Sequence, residues 1–569
     1  MTPDQIAARS DLQLLDIREL HEWNTGRVPG SRHIPMDEIP DRLGELAPAR
    51  PVLVICRSGR RADRISAWLG GHGYDARTLT GGILQWRREG GTLEQPSVAG
   101  PVGSMEQPTA GPVTVEIIQT PGLGNRSYLA HDGEVALVVD PQRDTDRIRV
   151  LLDTTGVRLS HVFETHIHND YVTGGLQLSQ ELGATYVLPT AEKVSYPHLG
   201  VADGDVIEAG GMRIRVVATP GHTHHHMSYL LTDAAGGEVA AFTGGSMLYG
   251  TTGRTDLLGS EHTEPLARAQ HASVRRLAAE LAPATRVLPT HGFGSYCAAT
   301  PADGDDSTIG RERERNPALL LDEDAYVEEL LAALTDIPAW YARMAPLNQA
   351  GPPPVDLTLP REATARELRF RIDAGEWVVD LRDRIAYARA HLPGSLSFEL
   401  SEPSANFLTQ LGWLLPDGMP LTLIGETLRQ VAEAQRELVR IGIDEPAGAA
   451  TGPIETLAGH APLASLPRAS FDELARTRES ADVLVLDVRR AAEHADGVLD
   501  GSVRIPLHGL MTRLGELPRD RQIWVHCASG YRATVAAGLL KAHGYDVVLV
   551  DGGPGASPAS APPDARAPR

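Results

Sequence analysis

Thr165-His166-Ile167-His168-Asn169-Asp170-Tyr171 is the stretch on which the reading of this chain turns. It closes an apolar run, Val162-Phe163-Glu164, that has the pattern of a buried strand. Two imidazoles one residue apart, followed by a carboxylate, make a compact donor cluster. At a strand end both rings can reach one cation, as nitrogen-donor sites require. A third donor stands in Thr219-Pro220-Gly221-His222-Thr223, and a fourth in Pro289-Thr290-His291-Gly292. Each of these loops follows an apolar strand. Val135-Ala136-Leu137-Val138-Val139-Asp140 is another such strand. Thr223-His224-His225-His226 reads as a polar turn, with its imidazoles as substitute donors in the alternative.

The bulk properties frame this loop. A chain of 569 residues exceeds what one hydrophobic core serves, so several domains are expected. Hydrophobic residues make up 42% and charged residues 22%, the balance of a folded soluble protein. A net charge of -21 argues against nucleic acid and anionic membranes, which call for basic patches. No run approaches transmembrane length, and the N-terminus lacks a basic-then-apolar signal pattern. Three cysteines exclude a disulfide framework. The expectation is a cytoplasmic protein whose few thiols stay reduced, so each thiol is worth examining.

Two of the thiols lie in an internal repeat. Leu14-Leu15-Asp16-Ile17-Arg18 is an apolar strand ending in Asp-x-Arg, and Pro51-Val52-Leu53-Val54-Ile55 is a second strand that delivers Cys56. Val485-Leu486-Asp487-Val488-Arg489 repeats the first strand, and Ile523-Trp524-Val525-His526 delivers Cys527. Gly73-Tyr74-Asp75 and Gly544-Tyr545-Asp546 follow their cysteines at equal spacing. A third copy lies between: Val378-Val379-Asp380-Leu381-Arg382, then Pro420-Leu421-Thr422-Leu423-Ile424, closed by Gly442-Ile443-Asp444. Its cysteine position is held by Gly425, so it has no nucleophile. Strands alternating with helical stretches indicate a parallel α/β sheet in each copy.

Gly/Pro-rich residues 90–112 and Gly351-Pro352-Pro353-Pro354 read as linkers. The expected domains are 1–95, 112–345 with a helical appendage over 317–345, 356–450 and 462–553, with 554–569 a disordered tail.

Cys56-Arg57-Ser58-Gly59-Arg60-Arg61 sits between a buried strand and a helix. A sulfur there faces backbone N–H groups and a positive helix end, which stabilise a thiolate or an anionic persulfide. Arg57, Arg60 and Arg61 add positive charge for an anionic sulfur donor. Cys527-Ala528-Ser529-Gly530-Tyr531-Arg532 repeats the arrangement with fewer charges. Cys297 has no helix start or basic cluster after it and reads as structural.

These copies resemble rhodanese sulfurtransferase domains, well over 1–95 (with Pro29-Gly30-Ser31 and His33-Ile34-Pro35) and 462–553, weakly over 356–450. The resemblance implies Cys56 and Cys527 as persulfide carriers, with Arg61 and Arg532 as their catalytic loop cations. It implies structural roles for Asp16, Arg18, Asp487 and Arg489. Residues 112–300 resemble the metallo-β-lactamase fold, an αββα sandwich, and more closely its persulfide dioxygenase branch, whose Gly-Arg-Thr-Asp stands at Gly253-Arg254-Thr255-Asp256. Fusion to rhodanese domains is a known architecture of that branch. Two positions depart from it: Tyr171 replaces a histidine, and Phe242-Thr243-Gly244-Gly245 replaces a motif ending in a ligand Asp.

The whole is thus expected to be a multidomain α/β enzyme. The resemblance implies persulfide dioxygenase and thiosulfate sulfurtransferase activities on thiol persulfide, thiosulfate or sulfite. Metal ligands come from His166, His168, His222, Asp170 and His291, with His166, His168 and His222 as the core of a mononuclear site. Arg254, Arg57 and Arg60 would bind the anionic substrate. One Fe(II) per chain is the expected metal, with Zn the alternative. The other readings are a glyoxalase II-like thioester hydrolase fused to sulfurtransferase domains, and a persulfide-binding scaffold. No nucleic acid or membrane partner is expected, and a homo-oligomer is compatible with the sequence.

Overall fold

The structure is a computed structural model, and it describes residues 6–551 apart from 7–8, 10, 19–26, 35, 37–38, 49, 57–59, 89–112, 303 and 401–404. Arg57, the linker over 90–112 and the tail over 554–569 lie outside the described residues, as does the side chain of Arg60. Within them the chain forms two compact units, one of residues 1–110 and 146–158, the other of 111–145 and 159–569.

The first unit carries a four-stranded parallel sheet ordered Arg32–His33, Gln13–Asp16, Val52–Ile55, Ala76–Thr78. Val52–Ile55 is buried at every residue, the signature of a central parallel strand covered on both faces. It runs straight into Cys56. The Asp16 carboxylate takes the Arg18 guanidinium through Nε and Nη2, at 2.9 and 2.8 Å. Both are buried, which makes the Asp-x-Arg motif a structural pin below the sheet's end.

The second unit begins with a two-sheet sandwich. One sheet has six strands, ordered Leu199–Val201, Thr185–Pro189, Arg158–Phe163, Val135–Val139, Asn125–His131, Thr114–Thr120. The other has five, ordered Val206–Ala209, Met212–Ala218, Met227–Thr232, Glu238–Gly244, Arg286–Pro289. Tyr128, Val139, Phe163, Ile214, Val216, Tyr229 and Phe242 fill the space between them. Fully burying each such large side chain contributes about 1.5–3 kcal/mol. The 21-residue helix Ser260–Glu280 covers the outer face of the five-stranded sheet through Ala267, Val274 and Leu277, and Glu323–Ala333 packs on that helix.

Two more parallel sheets complete the unit. The cysteine-less copy has the order Leu396–Ser397, Trp377–Asp380, Leu421–Gly425, Gly448–Thr451. The last copy has Arg468–Ala469, Val547–Val550, Ile523–His526, Leu484–Asp487, Val503–Arg504. Their Asp380–Arg382 and Asp487–Arg489 pairs repeat the buried pin, both at 2.7 Å. One continuous core runs from Tyr171, Val172 and Trp340 through Leu411 and Leu423 to Cys527 and Tyr531. This cluster joins side chains of three segments that read as separate domains in the sequence, beside cores confined to one segment each.

Candidate metal centre and cysteine loops

The metal residues gather where strands end. His166 follows Arg158–Phe163, His222 follows Met212–Ala218, Gly245 follows Glu238–Gly244, and His291 follows Arg286–Pro289. His166, His222 and His291 each offer a nitrogen, all within 4.8 Å of one another, and all three rings are fully buried. The outward nitrogen of each ring is already used. Nδ1 of His166 meets the Thr165 hydroxyl at 2.8 Å, Nδ1 of His222 donates to the Arg254 carbonyl at 2.7 Å, and Nδ1 of His291 lies 3.2 Å from Asn125 Oδ1 and 3.4 Å from Asp170 Oδ2. The Nε2 atoms therefore converge, those of His166 and His291 at 3.4 Å. His222 Nε2 is buried with no hydrogen-bond partner.

Imidazole nitrogens turned toward one another in a buried place form a donor set that fits a divalent cation. Burial pulls the His222 imidazole down to about 3, with His291 adding to the effect, and holds His166 well below its ordinary range. Both rings are thus unprotonated at neutral pH, as metal ligands must be.

His168, the other member of the expected core of His166, His168 and His222, keeps a nitrogen for the centre: its Nδ1 is buried with no hydrogen-bond partner. Its Nε2 lies 3.2 Å from Asp140 and 3.1 Å from Glu164. Burial disfavours its charged form, but the two carboxylates prevail and push the ring up to about 10. The carboxylates hold the proton on Nε2 and leave Nδ1 for a cation, and His168 brings a ligand atom within 4.8 Å of Asp170 and His291. Tyr171 stacks on the ring at 4.4 Å between centroids. His291, expected among the metal ligands but outside that core, takes its position among the converging nitrogens.

The expected carboxylate is absent for a steric reason as well as a chemical one. A Cβ on Gly245 would sit 2.2 Å from His222 Cδ2, so the imidazole occupies the space that a side chain at 245 would need. Asp170 stays near. One oxygen accepts from Asn125 Nδ2 at 2.7 Å while Oδ1 is buried without a partner. Burial would raise this carboxyl, but the facing His291 and the Asn125 bond hold it at about 2. His168, Asp170 and His291 also bring one ligand atom each within 4.8 Å, a second grouping beside the first.

Several residues of the centre gave no local sign in the sequence. Asn348 Nδ2 donates to the carbonyls of His168 and Tyr171, both at 2.9 Å, and Trp340 Nε1 donates to the Asp170 carbonyl at 2.9 Å. From the cysteine-less copy, the Arg440 carbonyl accepts from Val172 N at 2.8 Å, and the Arg440 guanidinium pairs with buried Asp144 at 2.7 Å. The metal loop is thus held by chain that lies 170 to 300 residues away, and such partners cannot be seen by scanning for spacing.

Arg254, expected to bind the anionic substrate, is engaged elsewhere. Its guanidinium is buried and spends its donors on Asp256 at 2.7 and 2.8 Å and on the carbonyls of Tyr296 and Thr335 at 3.1 and 2.6 Å. It has nothing left for an anionic substrate; its carbonyl orients His222 instead. His226 is also structural, with Nδ1 on Thr219 at 2.9 Å and Nε2 accepting from Gly245 N at 2.9 Å. His224 and His225 are exposed and line a cavity of about 310 Å³ with Ile167, Asn169, Glu192 and Lys193. This cavity opens beside the metal loop. Burial without a counter-charge lifts Glu192 to about 7.

Of the thiols, Cys297 is buried against the Tyr341 hydroxyl at 3.5 Å, and burial raises it far above its usual range, as a structural cysteine requires. Cys56 and Cys527 each end a buried strand. Ala62 N points at Cys56 Sγ at 3.4 Å, while Gly530 N and Ala533 N point at Cys527 Sγ at 3.2 and 3.4 Å. Arg61 is half-buried at the start of the helix Arg60–Gly71. Arg532, expected as a free catalytic cation, is clamped on both nitrogens by Glu493 while feeling the charge of Cys527. In the middle copy Gln430 takes the corresponding place. Its Oε1 accepts from Glu426 N at 2.8 Å and its Nε2 donates to the Leu381 carbonyl at 2.8 Å, filling the cradle above Gly425.

Known proteins share these parts. The Rhodanese-like domain family matches residues 2–89 and 470–554, and the Metallo-beta-lactamase superfamily matches 120–291. A hydroxyacylglutathione hydrolase of Acidiphilium cryptum is 32% identical over 174 residues, covering 30% of this chain and 65% of that protein. A probable polyketide biosynthesis zinc-dependent hydrolase of Bacillus velezensis is 32% identical over 164 residues, covering 28% of this chain and 68% of that protein. The crystal structure of a metallo-beta-lactamase from Staphylococcus aureus aligns with a TM-score of 0.53 and 28% identity, covering 60% of this chain and 99% of that one. That share is larger than the metal domain alone makes up. Among the described residues no helix is long and apolar enough to cross a membrane.

Proposed function

The chain belongs to the metallo-beta-lactamase superfamily and carries rhodanese-like domains at both ends, and from that premise we propose that it oxidises the sulfane sulfur of a low-molecular-weight thiol persulfide. In this reaction persulfide, O2 and water give the free thiol, hydrogen sulfite and a proton; the S–S bond breaks and O2 takes the electrons. The observation that carries the reading is the convergence of His166, His222 and His291 on one point, in the same compact unit as the Cys527 cradle. Iron(II) held by these nitrogens would supply open positions for a thiolate sulfur and O2 and accept the change in electron count.

The protein's own groups do the rest. The Arg254 carbonyl keeps the His222 proton on Nδ1, and Asp170 with Asn125 does the same for His291, so both Nε2 lone pairs face the centre. Burial of all three rings excludes bulk water from the reacting sulfur. The cavity lined by Glu192, Lys193, His224 and His225 would hold the thiol carrier. At Cys527 or Cys56 the sulfur atom attacks the outer sulfur of thiosulfate. A new S–S bond forms at Sγ, the old one breaks, and the electron pair leaves on sulfite; the reverse step makes thiosulfate from the sulfite the metal centre produces.

The test is O2 uptake by iron-loaded protein given glutathione persulfide. Uptake with sulfite formation supports the reading; intact sulfur transfer from thiosulfate without uptake overturns it. A second reading, zinc-dependent thioester hydrolysis, draws on the hydroxyacylglutathione hydrolase relative and on the His168–Asp170–His291 grouping. In it His168 would ligate through Nδ1, with Asp140 and Glu164 holding the proton on Nε2.

A further inference from the structure

The Cys527 loop is poorer in its own cations than the Cys56 loop, and its neighbour, the cysteine-less copy, reaches into it. Arg384 opens the helix Arg384–Arg389, capped by Asp383. Its Nη2 donates to the Ser529 carbonyl at 3.3 Å. The N–H of that same peptide, on Gly530, donates to Cys527 Sγ at 3.2 Å. Carbonyl and N–H of one trans peptide point in opposite directions. A hand on the carbonyl therefore aims the N–H at the sulfur.

The aim needs holding because Gly530 has φ +88°, where glycine tolerates either orientation of its flanking peptides. A second tie follows one residue on: the Tyr531 hydroxyl donates to the Glu399 carbonyl at 3.1 Å. Gly538, further along the same helix, would place a Cβ 3.0 Å from the Tyr387 hydroxyl, so the two copies touch as closely as a missing side chain permits. The charges around the loop are paired: Asp487 with Arg489, Glu493 with Arg532, Arg468 with Asp551, and Arg384 Nη1 lies 3.7 Å from Glu399, which fixes its direction. Arg384 Nε is buried without a partner, 3.2 Å from where a Gly530 Cβ would be.

We infer that Arg384 is a positioning residue for sulfur transfer at Cys527, so that the copy lacking a cysteine acts as the clamp of its neighbour's anion cradle. The donor class is a small anionic sulfane-sulfur compound such as thiosulfate, whose transferred sulfur becomes the persulfide facing Gly530 N. The inference rests on the reading of Cys527 as a sulfur carrier.

The full chain bearing Cys56→Ser isolates Cys527, and sulfur transfer from thiosulfate to cyanide is the assay. Adding Arg384→Ala removes one charge-assisted hydrogen bond, worth about 1.5 kcal/mol or a tenfold rate. The expected result is a tenfold fall in kcat with KM for thiosulfate little changed. Arg384→Lys, which can still donate to Ser529, restores part of it, and Tyr531→Phe produces a smaller fall. Lysine rescue also keeps the test decisive if the alanine variant fails to fold. An unchanged kcat overturns the inference, and so does a rise in KM alone, which would mark Arg384 as a direct donor-binding group. No turnover in the Cys56→Ser parent would instead overturn Cys527 as a carrier.

Discussion

Gly245 and Gly425 both stand where the related motifs place a working side chain, yet the two sites have different fates. At Gly245 the ring of His222 fills the vacated space, and its Nε2 faces two other imidazoles. The carboxylate is gone but a donor set remains. At Gly425 the space is closed by Gln430, whose amide satisfies Glu426 N and the Leu381 carbonyl and leaves no group directed at a ligand. Loss of one motif residue therefore does not decide function. What decides it is whether the remaining polar atoms converge unpartnered or satisfy one another.

The largest effect expected from this contrast is at the metal centre. His222→Ala removes one of three converging nitrogens and should bring bound metal to background, read by elemental analysis. Asn125→Ala, which only orients His291 and Asp170, should weaken metal binding about 10- to 100-fold. Equal losses in the two variants would break the distinction between ligand and orienting group. On the other side, Gly425→Cys in a chain with Cys56→Ser and Cys527→Ser should show no sulfur transfer from thiosulfate, because Gln430 holds the amide a persulfide would need. Turnover in that variant would mean the middle cradle is open.

Gly245→Asp tests the steric half of the comparison. A carboxylate there must displace the His222 ring, and overpacking of this kind costs about 1–3 kcal/mol. Thermal unfolding should show that loss; unchanged stability with tighter metal binding would contradict the account. A smaller effect is a pH dependence confined to the metal side. The folded pKa of His168, about 10, lies above the ordinary imidazole value of 6.5, so its stabilising contribution is complete below 6.5 and is lost as pH rises to 10. Metal-free protein should lose stability across that window with a slope of up to about 1.4 kcal/mol per pH unit, and His168→Gln should flatten it. A slope that persists in the variant would place the proton elsewhere.

The sequence displayed the parts whose chemistry is local. Three histidine loops after apolar strands, carrying four donors, and Cys56 and Cys527 between strand and helix, follow from spacing alone, and the structure brings the first set together. The roles it left undecided depend on distant partners. Which nitrogen of His168 is left for the centre is set by Asp140, 28 residues back, with Glu164. Arg254 looks like a substrate cation until Tyr296 and Thr335 take its donors. Asn348, Trp340 and Arg440 carry no motif, and each acts through a loop more than 160 residues away. The core shared between Tyr171, Leu423 and Cys527 is hidden for a related reason: an apolar strand pattern shows that a face is buried, not what buries it.

The most direct test of sulfur oxidation at a three-nitrogen centre is metal analysis of protein purified without oxygen, coupled to its reaction with persulfide. The account predicts one iron per chain and one O2 consumed for each persulfide converted to sulfite. Two zinc ions per chain, with thioester hydrolysis and no O2 consumption, would contradict it.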